Sequence, residues 1–284
     1  MSILANNNDE QSEYWNEQAG PKWVEMNEGL EAQLELLGEA MLNRAEIESG
    51  QHVLDLGCGC GATTLEIARR VSPTGFVTGA DLSAPMLEFA RERAETAELS
   101  QIEFIQADAQ THPFKNAHYD RATSRYGIMF FADPTAAFTN IRAALKPDGR
   151  LTFICWRGIE ENPWVTIPVM AAAQHIELPE QPAPGAPGPF SLADEARVKR
   201  LLEDAGFGAV TIEPHDITLA RGGGIDETMS FIMKIGPIAK LLEDHTIEVH
   251  EKVHKAVREA LLPYDGPEGI ALPRASWIVT AKNR

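Results

Sequence analysis

One stretch decides the fold: Val53-Leu54-Asp55-Leu56-Gly57-Cys58-Gly59-Cys60-Gly61. A short apolar run ends there in a glycine-rich turn, and a segment with helical spacing of its apolar residues begins at Ala62. This order of strand, turn and helix is the first unit of a doubly wound α/β sheet. Glycines at alternate positions let the backbone turn sharply and let a ligand come close. The helix start adds unpaired N–H groups and a positive dipole end, so we expect a cofactor at this turn.

Two classes of cofactor use such a turn. Gly57, Gly59 and Ala62 satisfy the loose dinucleotide pattern G-x-G-x-x-G/A, which is compatible with an NAD-dependent dehydrogenase. The full string is Asp-x-Gly-x-Gly-x-Gly, with Asp55 two residues before the first glycine. In this form it resembles motif I of the class I S-adenosylmethionine (SAM)-dependent methyltransferases. The resemblance implies that the amino-acid end of SAM lies over the turn and that Asp55 helps to hold its ammonium group, often through water.

Two further acids follow the next two predicted strands. Asp81 ends the second strand, 20 residues beyond Gly61, the spacing at which a carboxylate accepts hydrogen bonds from ribose hydroxyls. Asp108 follows the third strand and resembles the methyltransferase position that binds the adenine edge together with a neighbouring backbone N–H, here that of Ala109. Asp also favours turns, so Asp108 alone is ambiguous. An acid at the end of each of three strands favours SAM over NAD.

The resemblance covers residues 51–156 and continues more weakly through 190–217. Within it, "LKPDGRLTF" at 145–153 resembles the segment after the fourth strand in methyltransferases of ubiquinone and menaquinone biosynthesis. In that family N-terminal helices cover the cofactor, and the pair Tyr14-Trp15 is placed to close such a lid or to pack as an ordinary surface helix. The cofactor-binding residues that the resemblance implies are Tyr14, Trp23, Asp55, Gly57, Cys58, Gly59, Cys60, Gly61, Asp81, Leu82, Met86, Asp108, Ala109, Ser124 and Arg125.

The whole chain fits a single class I methyltransferase domain over 1–284. We expect a Rossmann-like, doubly wound α/β sheet of seven strands, mostly parallel with a last antiparallel strand, together with N-terminal helices and a helical lid insertion. Gly222-Gly223-Gly224 is expected to act as a hinge, and Ser191 with Asp194 to form a capping box. The expected parts are an N-terminal helical cap at 1–50, a SAM-binding core at 51–156, an insertion at 157–190, and the C-terminal part of the sheet at 191–284, with the helical insertion at about 225–262.

Composition limits the partners. The 284 residues carry 42 acidic and 25 basic side chains, a formal charge of −17, which argues against nucleic acid because phosphate binding depends on basic patches. Three cysteines, Cys58, Cys60 and Cys155, make no disulfide framework and favour a reducing cytoplasm. No apolar run approaches the length needed to span a membrane. We expect a cytoplasmic protein without a membrane span, with a homodimer left open.

Two patterns raise the question of a metal site. The string His250-Glu251-Lys252-Val253-His254 matches H-E-x-x-H, in which two histidines on one helix face bind zinc and the glutamate acts as a base. Val257 and Ala260 stand where the longer motif has Gly and His, and the same helix carries an ordinary apolar stripe. Cys58 and Cys60 could chelate a metal, but small neutral side chains beneath a cofactor are the simpler interpretation. We therefore predict no metal site.

The end of the fourth predicted strand bears on the acceptor. Base-modifying amino methyltransferases carry Asn/Asp-Pro-Pro-aromatic where this chain has Ser124-Arg125-Tyr126-Gly127, and no carboxylate suited to magnesium appears before Asp133. Tyr126, or His175 from the insertion, is the expected group that orients or deprotonates the acceptor. The expected walls of the acceptor pocket, any of which could equally be core, are Tyr126, Met129, Phe131, Trp156 and Trp164.

The sequence therefore predicts a SAM-dependent methyltransferase that acts on a small molecule without a metal ion and leaves S-adenosylhomocysteine as product. The sulfonium of SAM is already a strong electrophile, so the protein has to align a nucleophile with the S–CH3 bond. The resemblance implies C-methylation of a quinone precursor, while O-, N- or S-methylation of another small molecule stays open. The alternatives are an NAD-dependent dehydrogenase and a SAM-binding protein without catalysis.

Overall fold

A computed structural model describes residues 8–180, 182–221 and 223–284 of the chain. The chain divides into two compact units. The first unit contains Met1–Trp156, Gly185–Glu213 and Trp277–Arg284, and the second contains Arg157–Pro184 and Pro214–Ser276.

The described strands form one sheet in the order β3-β2-β1-β4-β5-β8-β6, and the short β7 pairs antiparallel with β8. Strands β1 to β5 pair in parallel, and the sheet has one antiparallel strand, as predicted. The strands are β1 (His52–Leu56), β2 (Phe76–Asp81), β3 (Ile102–Gln106), β4 (Tyr119–Arg125), β5 (Leu145–Trp156), β6 (Phe207–Arg221), β7 (Asp265–Gly266) and β8 (Gly269–Asn283).

The central strands are apolar because helices cover both faces of the sheet. In β1 every residue from Val53 to Leu56 is buried, and the core beside it contains large side chains such as Ile67, Phe138 and Phe153. The described α-helices are α1 (Asp9–Glu13), α2 (Ala19–Glu25), α3 (Asn27–Arg44), α4 (Ala62–Val71), α5 (Ala84–Thr96), α6 (Pro134–Ala144), α7 (Pro163–Ala172), α8 (Glu195–Asp204), α9 (Gly224–Ile232), α10 (Pro237–Leu242) and α11 (Ile247–Leu261).

Three of the described helices, α5, α6 and α8, begin at a residue whose side chain accepts a capping hydrogen bond. Ser83 caps α5 by accepting a hydrogen bond from the N–H of Met86, with a proline in the first turn. Asp194 caps α8 by accepting from the N–H of Arg197. The predicted capping box with Ser191 is wrong, because the Ser191 hydroxyl donates to the carbonyl of Met129 instead.

The second unit is a helical cluster. Helices α7, α9, α10 and α11 bury an apolar core of its own, which includes Ala172, Met229, Ile238, Val253 and Val257. The segment at about 225–262, predicted as a helical insertion, contains the three helices α9, α10 and α11. Of the predicted glycine hinge, Gly222 lies outside the described residues, and Gly223 and Gly224 start α9 with φ of +83° and +68°.

The H-E-x-x-H segment lies on α11. The Nε2 of His250 lies 2.9 Å from the carbonyl oxygen of Leu242. Across the described ranges we find no cluster of three or more His, Cys, Asp or Glu side chains arranged to hold a metal ion. None of the described helices is both long and apolar enough to cross a membrane.

Candidate active site

The glycine turn between β1 and α4 is tightly packed on both sides. Gly57, Gly59 and Gly61 all have positive φ, at +61°, +54° and +80°, a conformation that residues with a Cβ rarely adopt. A Cβ on Gly57 would lie 2.6 Å from the Cα of Gly127, and one on Gly59 would lie 2.8 Å from the Cε of Met86. Only glycine fits this path, which brings the backbone against the end of β4 and against α5.

Asp55 is enclosed beneath the turn. Its carboxylate accepts hydrogen bonds from the hydroxyls of Thr63 (2.8 Å) and Thr64 (2.7 Å) on one oxygen and of Thr123 (2.8 Å) on the other. Burial raises the pKa of the Asp55 carboxyl above its ordinary value, while the threonine bonds and the charge of Arg125 oppose that rise. Asp55 therefore braces α4 and β4 around the turn. The three threonines were not predicted as functional residues, and only Thr63 and Thr64 stand near the motif in sequence.

Asp81 ties the end of β2 to the glycine turn. One carboxylate oxygen accepts from the N–H of Gly59 and the other from the N–H of Ser83, both at 2.8 Å. Burial raises the pKa of Asp81, and these backbone bonds oppose the rise. Leu82 follows it, and Met86 is buried with its methyl group at Gly59. The glycine turn thus orients the Asp81 carboxylate, and both are predicted to bind the same cofactor.

Asp108 and Ala109 lie just beyond β3. The Asp108 carboxylate accepts from the backbone N–H of Gln110 at 2.9 Å and from its side-chain amide at 3.0 Å. The carbonyl of the buried Ala109 accepts from the side chain of Asn140 at 2.9 Å. Because β1, β2 and β3 are parallel neighbours, the predicted acids Asp55, Asp81 and Asp108 all lie at the carboxyl ends of these strands, on the same side of the sheet.

Both cysteines of the turn are buried and neutral. The Cys58 thiol faces the sheet, because a Cβ on Gly79 would lie 3.1 Å from its sulfur, and burial raises its pKa well above the ordinary value. Burial raises the pKa of Cys60 to about 12. The Asn27 side chain of α3 lies beside the Cys60 thiol. The buried Nδ2 of Asn27 has no oxygen acceptor in the described part of the chain. A ligand with acceptor atoms at the turn could therefore accept a hydrogen bond from it.

The N-terminal segment lies over the ends of β2 and β4. Between α1 and α2 it forms one π-helical turn, Tyr14–Gln18, a feature that often marks functional sites. The Trp15 ring makes T-shaped contacts with three other rings. The distances between ring centroids are 6.0 Å to Trp23, 5.5 Å to Tyr14 and 5.1 Å to Phe130.

Hydrogen bonds hold the same turn to the loop after β2. The Trp15 carbonyl accepts from the Ser83 hydroxyl at 2.8 Å. The Asn16 side chain donates to the carbonyl of Leu82 at 3.0 Å and accepts from the N–H of Ala84 at 2.9 Å. Asn16 was not predicted, because its only local signal in the sequence is a polar residue beside an aromatic pair.

The end of β4 brings together several predicted residues. Ser124 is buried and donates to the carbonyl of Leu56 at 2.7 Å. Arg125 donates two hydrogen bonds, of 2.7 and 2.8 Å, to the carboxylate of Glu31 on α3. Tyr126 has φ of +62° and stacks on Trp156 with ring centroids 4.2 Å apart and planes 18° from parallel. Glu31 was not predicted, because the pair spans 94 positions of sequence.

The other predicted acceptor residues are divided between the two units. Met129 is fully buried in the core, and its carbonyl accepts from Gly188 and Ser191. Phe131 is partly exposed and packs edge-on against Phe138. Two residues lie in the second unit: Trp164, whose ring N–H donates to Asn162 at 2.8 Å and whose ring faces the Arg274 guanidinium, and the exposed His175.

Comparison with known proteins agrees with this geometry. Residues 53–149 match the profile of a family described as "Methyltransferase domain". The chain is 37% identical over 109 residues to a ubiquinone/menaquinone biosynthesis C-methyltransferase of Pseudomonas putida, a match that covers 38% of this chain and 43% of that protein. It is 30% identical over 190 residues to a demethylmenaquinone methyltransferase of Lactococcus lactis, covering 62% of this chain and 71% of that protein.

A solved structure shows the same fold. The YcgJ protein of Bacillus subtilis superposes with a TM-score of 0.59 at 17% identity, covering 87% of this chain and 97% of that one. The match to the Pseudomonas enzyme spans less than half of that relative's length, so its reaction does not transfer directly to this chain.

Proposed function

Because this chain belongs to the class I SAM-dependent methyltransferases, we propose that it transfers the methyl group of SAM to a small-molecule acceptor by in-line displacement and without a metal ion. One observation carries the proposal. Asp81 accepts the Gly59 N–H on one oxygen, in a turn whose three glycines are all left-handed. This hydrogen bond connects the acid that is predicted to bind the ribose with the glycine turn that is predicted to lie under the cofactor.

The residues present fit the cofactor. Gly57, Gly59 and Gly61 let the turn pack closely against Gly127, Met86 and Ala90. Beside the turn, the Nδ2 of Asn27 neighbours the Cys60 thiol and has no oxygen acceptor among the described residues. We assign the ribose to Asp81 and the adenine edge to Asp108 with the N–H of Ala109. When bound, SAM supplies an electrophilic methyl group on a sulfonium. The enclosed Asp55 contributes through the turn that it braces and through its charge.

The remaining residues of the site orient the reactants and exclude water. Trp15 and its aromatic neighbours cover the ends of β2 and β4 in the first unit. Tyr126 and Trp156 are both buried, with 7% and 5% exposure, and their rings stack on each other beside the glycine turn. We propose the Tyr126 hydroxyl as the atom that orients the acceptor or takes its proton, with His175 of the second unit as the alternative.

A planar aromatic acceptor matches the two aromatic rings at this place, since offset stacking between rings adds about 0.5–1.5 kcal/mol to the burial of area. One relative is named as a C-methyltransferase of ubiquinone/menaquinone biosynthesis and another as a demethylmenaquinone methyltransferase, so we propose a quinone-like ring as the acceptor. The net charge of −17 argues against nucleic acid as a partner. Three free, buried cysteines support a reducing cytoplasm as the place of action.

A screen with methyl-labelled SAM tests this proposal. The purified protein is incubated with reduced demethylquinones and with simple phenols, amines and thiols, and mass spectrometry locates the label. We expect label on a ring carbon of the quinol, with little transfer in Tyr126→Phe. Tight SAM binding with no transfer to any acceptor would instead favour a non-catalytic binding protein. A nicotinamide dinucleotide that co-purifies with the chain would favour the dehydrogenase.

A further inference from the structure

The turn after β4 is shared by the two halves of the proposed site. Tyr126 adopts φ of +62°, which is unfavourable for a residue with a Cβ. The next residue, Gly127, packs its Cα against Gly57, since a Cβ on Gly127 would lie 2.7 Å from the Gly57 Cα. A shift of this turn therefore moves the Tyr126 ring and the cofactor turn together.

Arg125 immediately precedes this turn, and both its guanidinium and its aliphatic stem contact α3. Its guanidinium makes two nearly equal hydrogen bonds to Glu31, at 2.7 and 2.8 Å, and the two side chains are only 10% and 20% exposed. Its stem crosses α3 at Gly38, where a Cβ would lie 2.9 Å from the Arg125 Cδ. Glu31 and Gly38 are two helical turns apart, so they lie on one face of α3.

The same helix also reaches the cofactor turn. Asn27, the first residue of α3, lies beside the Cys60 thiol, and the negative charge of Glu31 acts on that thiol as well. Helix α3 thus meets the glycine turn through its first residue and the end of β4 through Glu31. A paired carboxylate and guanidinium with two parallel hydrogen bonds fix orientation as well as distance.

From this arrangement we propose that Glu31 is a positioning residue for methyl transfer. It acts through Arg125 to hold the Tyr126–Gly127 turn at the place where the acceptor ring meets the methyl group. The inference rests on the proposed function. It adds to the site a residue of α3 that acts through Arg125 and touches neither reactant.

The test compares Glu31→Gln, which keeps the shape of the side chain and removes its charge, with Glu35→Gln, an exposed glutamate on the same helix. The first readout is hydrogen exchange at the N–H of Tyr126, which donates to the carbonyl of Ile154 at 3.0 Å. We expect exchange to speed up roughly tenfold or more in Glu31→Gln and to stay unchanged in Glu35→Gln. The amides of Leu34 and Leu37 on α3 should keep their protection in both variants.

The second readout is kinetic. With a labelled acceptor from the screen, kcat in Glu31→Gln should fall roughly tenfold or more, because a small misplacement of reacting atoms is costly. The dissociation constant of SAM, measured by calorimetry, should change by a smaller factor than kcat, because the proposed ribose and adenine contacts do not involve Glu31. Glu31→Asp should recover part of kcat, and the exchanged pair Glu31→Arg with Arg125→Glu should recover more than either single change.

Each outcome decides a different point. Unchanged exchange at Tyr126 in Glu31→Gln overturns the inference, whatever the transfer assay shows. Faster exchange at Tyr126, Leu34 and Leu37 alike, with no recovery in the exchanged pair, also overturns it, because Glu31 would then only anchor α3. If the unmodified protein methylates no acceptor, the proposed function fails, and the exchange data still judge whether Glu31 holds the turn.

Discussion

Asp81 combines two tasks on one carboxylate. Its oxygens accept the N–H groups of Gly59 and Ser83, so it shapes the glycine turn while it faces the predicted ribose position. Removing its charge should weaken SAM binding at least tenfold, because each hydrogen bond to a charged group contributes about 1.5–3 kcal/mol. We predict this loss for Asp81→Asn, measured by titration calorimetry with SAM and with S-adenosylhomocysteine.

Asp148→Asn is the matched control for this change. Asp148 lies in an exposed, left-handed position (φ +62°) far along the sequence from the turn, and asparagine tolerates that conformation. It removes the same charge and should leave the affinity unchanged. Equal affinities in Asp81→Asn and Asp148→Asn would remove Asp81 from the cofactor site.

His118 belongs to a group of titrating side chains at the start of β4. Burial lowers its pKa below the ordinary 6.5, the positive charges of Lys115, His52 and Lys146 add to the effect, and Asp120 opposes it. The unfolded chain therefore binds a proton at a higher pH than the folded chain. Above 6.5 this difference contributes nothing. As the pH falls through that value, the free energy of unfolding decreases, and the loss is complete below the folded pKa.

We predict that His118→Gln loses less stability than the unmodified protein when urea unfolding is compared at about pH 7.5 and about pH 5.5. His254→Gln, an exposed position on α11, serves as the control and should follow the unmodified protein. Parallel curves for all three proteins would show that the His118 site does not contribute to acid sensitivity.

At the scale of elements, the contact between the glycine turn and the end of β4 has no spare room. Gly127 has helical angles (φ −75°, ψ −39°), so alanine fits its backbone and the substitution isolates the steric effect. Its Cβ would lie 2.7 Å from the Gly57 Cα and would push the two segments apart. We predict that Gly127→Ala lowers the thermal midpoint and weakens SAM binding on the order of tenfold, since overpacking costs about 1–3 kcal/mol.

Gly266→Ala provides the comparison for that prediction. The nearest atom to a Cβ there is 3.8 Å away, at the carbonyl of Gly269, so the added methyl group meets no obstacle. Differential scanning calorimetry and SAM titration should find this variant close to the unmodified protein. A Gly127→Ala protein that behaves like Gly266→Ala would mean that the two segments separate freely.

The elements that sequence predicts well are those whose limits are local. The strand Phe76–Asp81 ends at Asp81, as predicted, because a buried apolar run there meets turn-forming residues. Contacts between distant segments left no periodic signal. Thr123 reaches Asp55 across 68 positions, and Glu31 reaches Arg125 only because α3 packs beside β4. Ser191 looked like a cap, but its hydroxyl found the Met129 carbonyl in the folded chain.

On the scale of the whole molecule, the first unit carries every element that we assign to the cofactor. Its N-terminal segment, Asp9–Glu25, comprises α1, the π-helical turn and α2. The segment is held to the loop after β2 by polar contacts of Asn16 and Ser83. Few of its residues are fully buried: Ala19 and Gly20 are, whereas Trp15 and Trp23 keep some exposure. A segment with so little buried area can open at low cost.

We therefore predict that this segment controls how long the cofactor stays bound. Asn16→Ala removes the hydrogen bonds to Leu82 and Ala84, each of which contributes about 0.5–1.5 kcal/mol. Stopped-flow displacement should show S-adenosylhomocysteine leaving on the order of tenfold faster, while the thermal midpoint of the ligand-free protein changes little. Asn43→Ala, which loses one exposed hydrogen bond from Arg70, should change neither quantity. If Asn16→Ala instead lowers the ligand-free midpoint and leaves the release rate as it was, the segment is a fixed part of the core, and opening must occur elsewhere.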